Sequence, residues 1–225
     1  MLYKLTDVAC GLNYRKLSWV MGVLMTYIAS QIVHTFVFPV PHDSTAGANI
    51  VHGDVKGANI LVNSFGEAAL ADFGLSSIIA VAGENSTSTF SGGSVRWMAP
   101  ELFKSQNVKA KTCSSDTYSY GSVILEVSIV KLKGVLFYNE PVQIMTGEHP
   151  YNDISDLQVI NQLLHGVTPK RPRMPILNPG VWDLMERCWS ATPSDRPKMA
   201  FVLSRMEKFY NERMKNMPLP IIRGR

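Results

Sequence analysis

The run His52-Gly53-Asp54-Val55-Lys56-Gly57-Ala58-Asn59-Ile60-Leu61-Val62 sets an Asp, then a Lys, then an Asn at short spacing ahead of an apolar stretch. A second Asp follows in Asp72-Phe73-Gly74, and Met98-Ala99-Pro100-Glu101 comes later. Such a set suits phosphoryl transfer. That chemistry needs metal ions to neutralise a triphosphate, a cation near the moving phosphoryl group and a carboxylate to orient the attacking hydroxyl. A carboxylate and an amide oxygen are hard ligands suited to magnesium.

These groups need elements to hold them. Ile60-Leu61-Val62 and Ala69-Leu70-Ala71 read as the strands of a hairpin around Asn63-Ser64-Phe65-Gly66, which sets Asp72 behind Asn59. Tyr118 to Glu126 is an apolar helical run, and the stretch from Val127 to Gln143, with Lys131, Lys133, Gly134 and Pro141, breaks it. After Pro179, Val181-Trp182, Met185 and Cys188-Trp189 mark one helical face. Pro197 then opens a last helix to about Met214. Gly83 to Gly93 reads as a mobile loop.

In order, spacing and flanking apolar residues, these motifs resemble the protein-kinase family. Two downstream signatures agree: Ser115-Asp116-Thr117-Tyr118-Ser119-Tyr120-Gly121, similar to the start of the family's central buried helix, and Cys188-Trp189 with Pro193, Asp195, Arg196 and Pro197. The resemblance implies an α+β fold: the mainly helical C-terminal lobe of a kinase with a small β hairpin. It implies transfer of phosphate from ATP, with Mg2+, to serine or threonine of a protein substrate. Asp54 would orient or deprotonate the substrate hydroxyl, and Lys56 would contact the transferring phosphate. Asn59 and Asp72 would hold magnesium, and Leu61 would lie beneath the adenine ring. Asp116 would brace the catalytic loop, and Glu101 would pair with Arg196. Lys56, Ser94 and the run Arg96-Trp97-Met98-Ala99-Pro100-Glu101 look like the tyrosine-kinase-like group of serine/threonine kinases. His52 reads as a packed core histidine, Trp97, Trp182 and Trp189 as core or groove residues, and His149 as a loop residue.

The pattern departs from the family in three ways. Gly53 stands where an arginine commonly receives an activation-loop phosphate, so activity is expected not to depend strongly on phosphorylation at Ser86, Thr87, Ser88, Thr89 or Ser91. Nothing before Asp54 matches the glycine-rich loop and strand lysine that cover the nucleotide. Leu2 to Tyr14 resembles the helix just upstream of the catalytic loop, so the expectation is a lower lobe without its upper lobe, and a fragment of impaired activity. A non-catalytic, kinase-derived binding module is the competing reading.

The third departure is a pair of atypical stretches, 15–41 and 127–143, inside a kinase domain taken as 1–210 and followed by a basic tail, 211–225. Leu17 to Phe38 has no Asp, Glu, Lys or Arg and is long enough for a membrane span. A span there would have to leave and re-enter a packed lobe between adjacent elements, which disfavours it. Val127 begins with GT in every codon and Gln143 can be CAG, and Arg15-Lys16 can carry a splice-donor sequence. Both stretches therefore read as retained intron sequence, and their removal is in frame.

The 225 residues are 46% hydrophobic and 18% charged, which excludes global disorder. Net charge is 22 − 18 = +4, all of it carried from Arg205 onward, so no basic face for nucleic acid is expected. Cys10, Cys113 and Cys188 lie far apart without metal-site spacing, and the N-terminus lacks a secretory pattern; an intracellular, cytoplasmic setting is expected.

Overall fold

The computed structural model describes residues 2–4, 50–63, 68–72, 77–78, 94–104, 111–128, 130–132, 145–147, 149–172 and 178–215. The expected membrane candidate 17–38, the loop 83–93 with its five hydroxyl residues, Phe73-Gly74, residues 133–143 and most of the basic tail lie outside them. No helix among the described residues is long and apolar enough to cross a membrane.

Short strands come first: β1 (Leu2–Lys4), β2 (Ile50–Val51), β3 (Ile60–Asn63), β4 (Ala68–Leu70) and β5 (Ser77–Ile78). The expected hairpin is β3–β4, antiparallel with Ile60 opposite Leu70 and Val62 opposite Ala68. It leads the chain back so that Ala71 N–H donates to Asn59 O at 2.8 Å. One expectation is corrected here. Leu2–Lys4, read as the beginning of a helix, forms β1 and pairs antiparallel with β3, Leu2 opposite Asn63. The open edge of β3 offers these residues a ready ladder of backbone partners, and the rest of the expected helix, 5–14, lies outside the described residues.

The helices follow: α1 (Glu101–Lys104), α2 (Cys113–Ser128), α3 (Asp156–Leu164), α4 (Pro179–Cys188) and α5 (Met199–Lys215), with a small antiparallel pair, β6 (Val130–Leu132) and β7 (Met145–Gly147), after α2. Thr112 and Ser115 cap α2 reciprocally: Thr112 Oγ1 accepts from Ser115 N–H at 3.1 Å, and Ser115 Oγ accepts from Thr112 N–H at 2.8 Å. From Ser115 to Glu126 every residue of α2 is buried, as expected of a central helix. Gly121 lets α4 approach: a Cβ there would sit 2.9 Å from both Cys188 Cβ and Trp189 Nε1. Trp189 then donates to Ser122 Oγ at 3.2 Å and meets Trp182 edge-on.

The helix break expected at Val127 comes after Ser128, two residues into the atypical stretch. β6 and β7 place Val130 opposite Gly147, so the excursion returns to where it left α2. At α4, Asn178 Oδ1 accepts from Gly180 N–H at 2.7 Å, with Pro179 in the first turn. Cys113 and Cys188 are free thiols.

Candidate active site

Asp54 and Lys56 sit on the loop between β2 and β3, and Asn59 closes the 3-10 turn Gly57–Asn59. The loop is hung from below. Asp116, buried in the first turns of α2, accepts from His52 N–H (Oδ2, 2.8 Å) and Gly53 N–H (Oδ1, 2.9 Å). Burial pushes its carboxyl up to about 7, against the two amide bonds, which pull it down. Gly53 takes a φ of 75°, a left-handed conformation that glycine enters without steric cost.

His52 is buried in the core, as expected, and it also ties the site together. Its Nδ1 accepts from Asp54 N–H at 3.2 Å, so its proton is on Nε2, which donates to Ala71 O at 3.0 Å. Burial holds the imidazole below its ordinary value and hence neutral. Ala71 precedes Asp72, so this ring couples the two acidic residues of the site. Asp72 itself is exposed, with a φ of 64° that side chains other than Gly, Asn and Asp rarely adopt.

Three groups converge on Asp54. Lys56 Nζ donates to Asp54 Oδ2 at 2.7 Å and to Ser94 Oγ at 2.8 Å. Asn59 Nδ2 donates to Asp54 O at 2.9 Å and to Oδ2 at 3.0 Å. Burial works to raise the Asp54 carboxyl, but the bonds from Lys56, Ser94 and Asn59 and the charge of Lys56 outweigh it and hold the group below the ordinary carboxylate range. Asp54 is therefore ionised and aimed. With the Asn59 amide nitrogen committed to Asp54, its carbonyl oxygen is the group left for a cation. Among the described residues no cluster of three or more His, Cys, Asp or Glu could hold a metal. Asn59 and Asp72 are two hard-oxygen donors, which fits magnesium, an ion that takes few protein ligands and completes its shell from phosphates and water. Leu61 lies on β3, half-buried, between Lys4 and Ala69 on the neighbouring strands.

Beyond the loop, Arg196 forks onto Glu101 with bonds of 2.6 and 2.7 Å, joining α1 to the segment before α5. Trp97, on the 3-10 turn Val95–Trp97, is buried and donates to Glu126 on α2. Two contributors escaped the sequence reading. Ser94, a subgroup marker in the sequence, is a direct partner of Lys56. Lys111, half-buried just ahead of α2, faces Asp54 and Asp116; burial lowers its pKa, while those two carboxylates act to raise it. A lone Lys before a helix carries no signal of such a position.

Replacing Asp116 with Ala leaves one buried and one half-buried amide without their acceptor. At about 1–3 kcal/mol for each orphaned donor, Asp116→Ala should lower unfolding stability by roughly 2–6 kcal/mol, measured by urea denaturation. A loss under about 1 kcal/mol would show that the loop does not hang from this carboxylate.

Comparison with known proteins agrees with this geometry. A family model described as protein tyrosine and serine/threonine kinase matches residues 45–206. The chain is 29% identical over 165 residues to the serine/threonine-protein kinase STY17 of Arabidopsis thaliana, covering 73% of this chain and 25% of that protein. It is 28% identical over 165 residues to STY46 of the same plant, covering 73% and 24%. Ephrin type-B receptor 4a of Danio rerio is 33% identical over 162 residues, or 70% of this chain and 14% of the receptor. The chain thus spans about a quarter or less of these relatives. A matched stretch of that extent, with Asp54, Lys56 and Asn59 gathered on one loop hung from a buried central helix, makes this chain a member of the protein tyrosine and serine/threonine kinase family.

Proposed function

We propose that the chain is the lower lobe of a protein serine/threonine kinase, with Asp54 as the residue that orients and deprotonates the acceptor hydroxyl. The observation carrying this is the convergence of Lys56 and Asn59 on one Asp54 oxygen, at 2.7 and 3.0 Å. It holds Asp54 as an ionised carboxylate, the form that can take up the hydroxyl proton. As the substrate oxygen bonds the γ-phosphorus and ADP departs, that proton passes to Asp54. Lys56 stands beside the carboxylate to offset charge on the transferring group. Asn59 and Asp72 would hold magnesium, which supplies the charge neutralisation that the triphosphate needs. The link from Lys56 to Ser94 supports serine or threonine as acceptor, and Leu61 is proposed to line the adenine site.

By itself the chain is proposed to transfer phosphate weakly or not at all, since none of its 225 residues supplies a glycine-rich loop and strand lysine. Stretches 15–41 and 127–143 are proposed to be dispensable insertions. Removing Val127–Gln143 shortens the link from Glu126 to His149 roughly fourfold, worth about 1 kcal/mol of loop-closure entropy. The deletion should leave the melting temperature equal or higher.

The test is magnesium-dependent phosphorylation of a generic protein by two forms: the 225-residue chain, and the chain joined to the upper lobe of a relative with both stretches removed. Phosphoserine or phosphothreonine formed by the joined form alone is expected. Robust transfer by the unjoined chain would overturn the proposal of impaired activity. No transfer by either would favour a binding module.

A further inference from the structure

One buried carboxylate takes no part in the chemistry above. Glu126 lies near the end of α2, 4% exposed. Its Oε2 accepts two bonds, from Gly57 N–H at 3.0 Å and from Trp97 Nε1–H at 2.9 Å. Its Oε1 faces His149 Nδ1 at 3.8 Å, and the His149 ring meets Trp97 edge-on with centroids 5.1 Å apart. A Cβ on Gly57 would fall 2.5 Å from this carboxylate, so any larger residue there must push it aside.

The two donors belong to the two segments that meet at the active site. Gly57 follows Lys56 on the catalytic loop, and Trp97 lies on the turn that begins after Ser94, the hydroxyl bonded to Lys56. One oxygen atom thus bonds both the residue after Lys56 and the turn that follows Ser94. Burying a carboxylate is costly unless its charge is matched, and here two N–H groups and an imidazole share that task.

We propose that Glu126 is a positioning residue for phosphoryl transfer, its Oε2 clamping the Lys56–Gly57 end of the catalytic loop to the Trp97 turn, with His149 as a proton-dependent third tie. This rests on the phosphoryl-transfer reading of Asp54. The charged groups facing His149 are Glu126 from α2 and Arg96 from the Val95–Trp97 turn. The Glu126 contact raises the His149 pKa, outweighing burial and Arg96, which lower it. A histidine raised on folding contributes fully below its unfolded value of about 6.5 and loses that contribution as pH rises through the folded value. The clamp should loosen on that side.

Oxygen geometry separates the variants. In Glu126→Gln the carboxamide oxygen can still accept from Gly57 and Trp97, but the charge that holds protonated His149 is gone. In Glu126→Ala both acceptors vanish, and in Gly57→Ala the new methyl displaces the carboxylate.

The experiment is amide and indole hydrogen exchange, followed by NMR, on the full 225-residue chain across pH 6–8. Expected in the wild type are protected Gly57 N–H and Trp97 Nε1–H, with protection factors that fall as pH rises. Glu126→Gln should keep the protection and lose its pH dependence, as should His149→Leu. Glu126→Ala and Gly57→Ala should lose at least about tenfold in Gly57 protection, the equivalent of one hydrogen bond. In the two-lobed form, kcat should fall with Gly57 protection while KM for ATP stays constant, since Glu126 bonds neither Asn59 nor Asp72. Equal Gly57 exchange in wild type and Glu126→Ala would overturn the clamp, and pH-independent protection in the wild type would overturn the role of His149. Should the alanine variants not fold, the glutamine and leucine variants decide by the same pH comparison. Exchange needs no turnover, so a chain that never transfers phosphate would sink the kinase reading and leave the clamp standing.

Discussion

Asp54→Asn should lower phosphoryl transfer by the two-lobed form about 10²–10⁴-fold, the usual worth of a positioned general base. The substitution is nearly isosteric. It removes the proton acceptor and the charge that draws Lys56 to 2.7 Å, while a carboxamide oxygen can still accept from Asn59. Because the bonds from Lys56, Ser94 and Asn59 outweigh burial and favour the ionised carboxylate, removing the charge also costs the fold some stability at neutral pH. A modest fall in melting temperature with a far larger loss of transfer is therefore the expected pair of results, read by circular dichroism and phosphate incorporation. Transfer within about threefold of wild type would remove Asp54 from the chemistry.

Arg196→Ala should be the most damaging single change to stability, by roughly 3–5 kcal/mol. The guanidinium is fully buried, and Glu101, its partner, is only partly exposed. Besides the fork to Glu101, Arg196 donates to Ser114 O at 3.0 Å and to Ser190 O at 2.9 Å, and it lies 5.0 Å from the centre of the Tyr118 ring. One side chain thus joins α1, the start of α2 and the end of α4. Its removal strands a half-buried carboxylate and two carbonyls in a lobe whose whole stability is of order 5–15 kcal/mol. Arg196→Lys should recover little, since an ammonium cannot reproduce the planar fork. Urea denaturation measures both, and a loss below about 1 kcal/mol for the alanine variant would refute this account.

Much of this was legible along the chain because it is local. Asp54, Lys56 and Asn59 lie on one loop, the hairpin that follows is two apolar strands with a short connection, and Pro179 marks the start of α4. Even two distant contacts, Asp116 to the loop and Glu101 to Arg196, were expected from the family resemblance and appear as hydrogen bonds. The strand at Leu2–Lys4 was not legible. Three residues carry no periodicity, and what makes them a strand is the free edge of β3, far away in sequence.

The sequence by itself determined the family, the hairpin and the central and closing helices, and it set the candidate reacting groups on one loop, since these depend on residue type and near spacing. Tertiary structure alone decided that Ser94 completes the Lys56 contact, that His52 is a neutral tie to Ala71, and that Glu126 holds Gly57 and Trp97 on one oxygen. The reason is physical: a buried carboxylate, a neutral imidazole and a hydroxyl acquire their roles from the donors and acceptors that folding brings within about 3 Å, and no spacing along the chain encodes those neighbours.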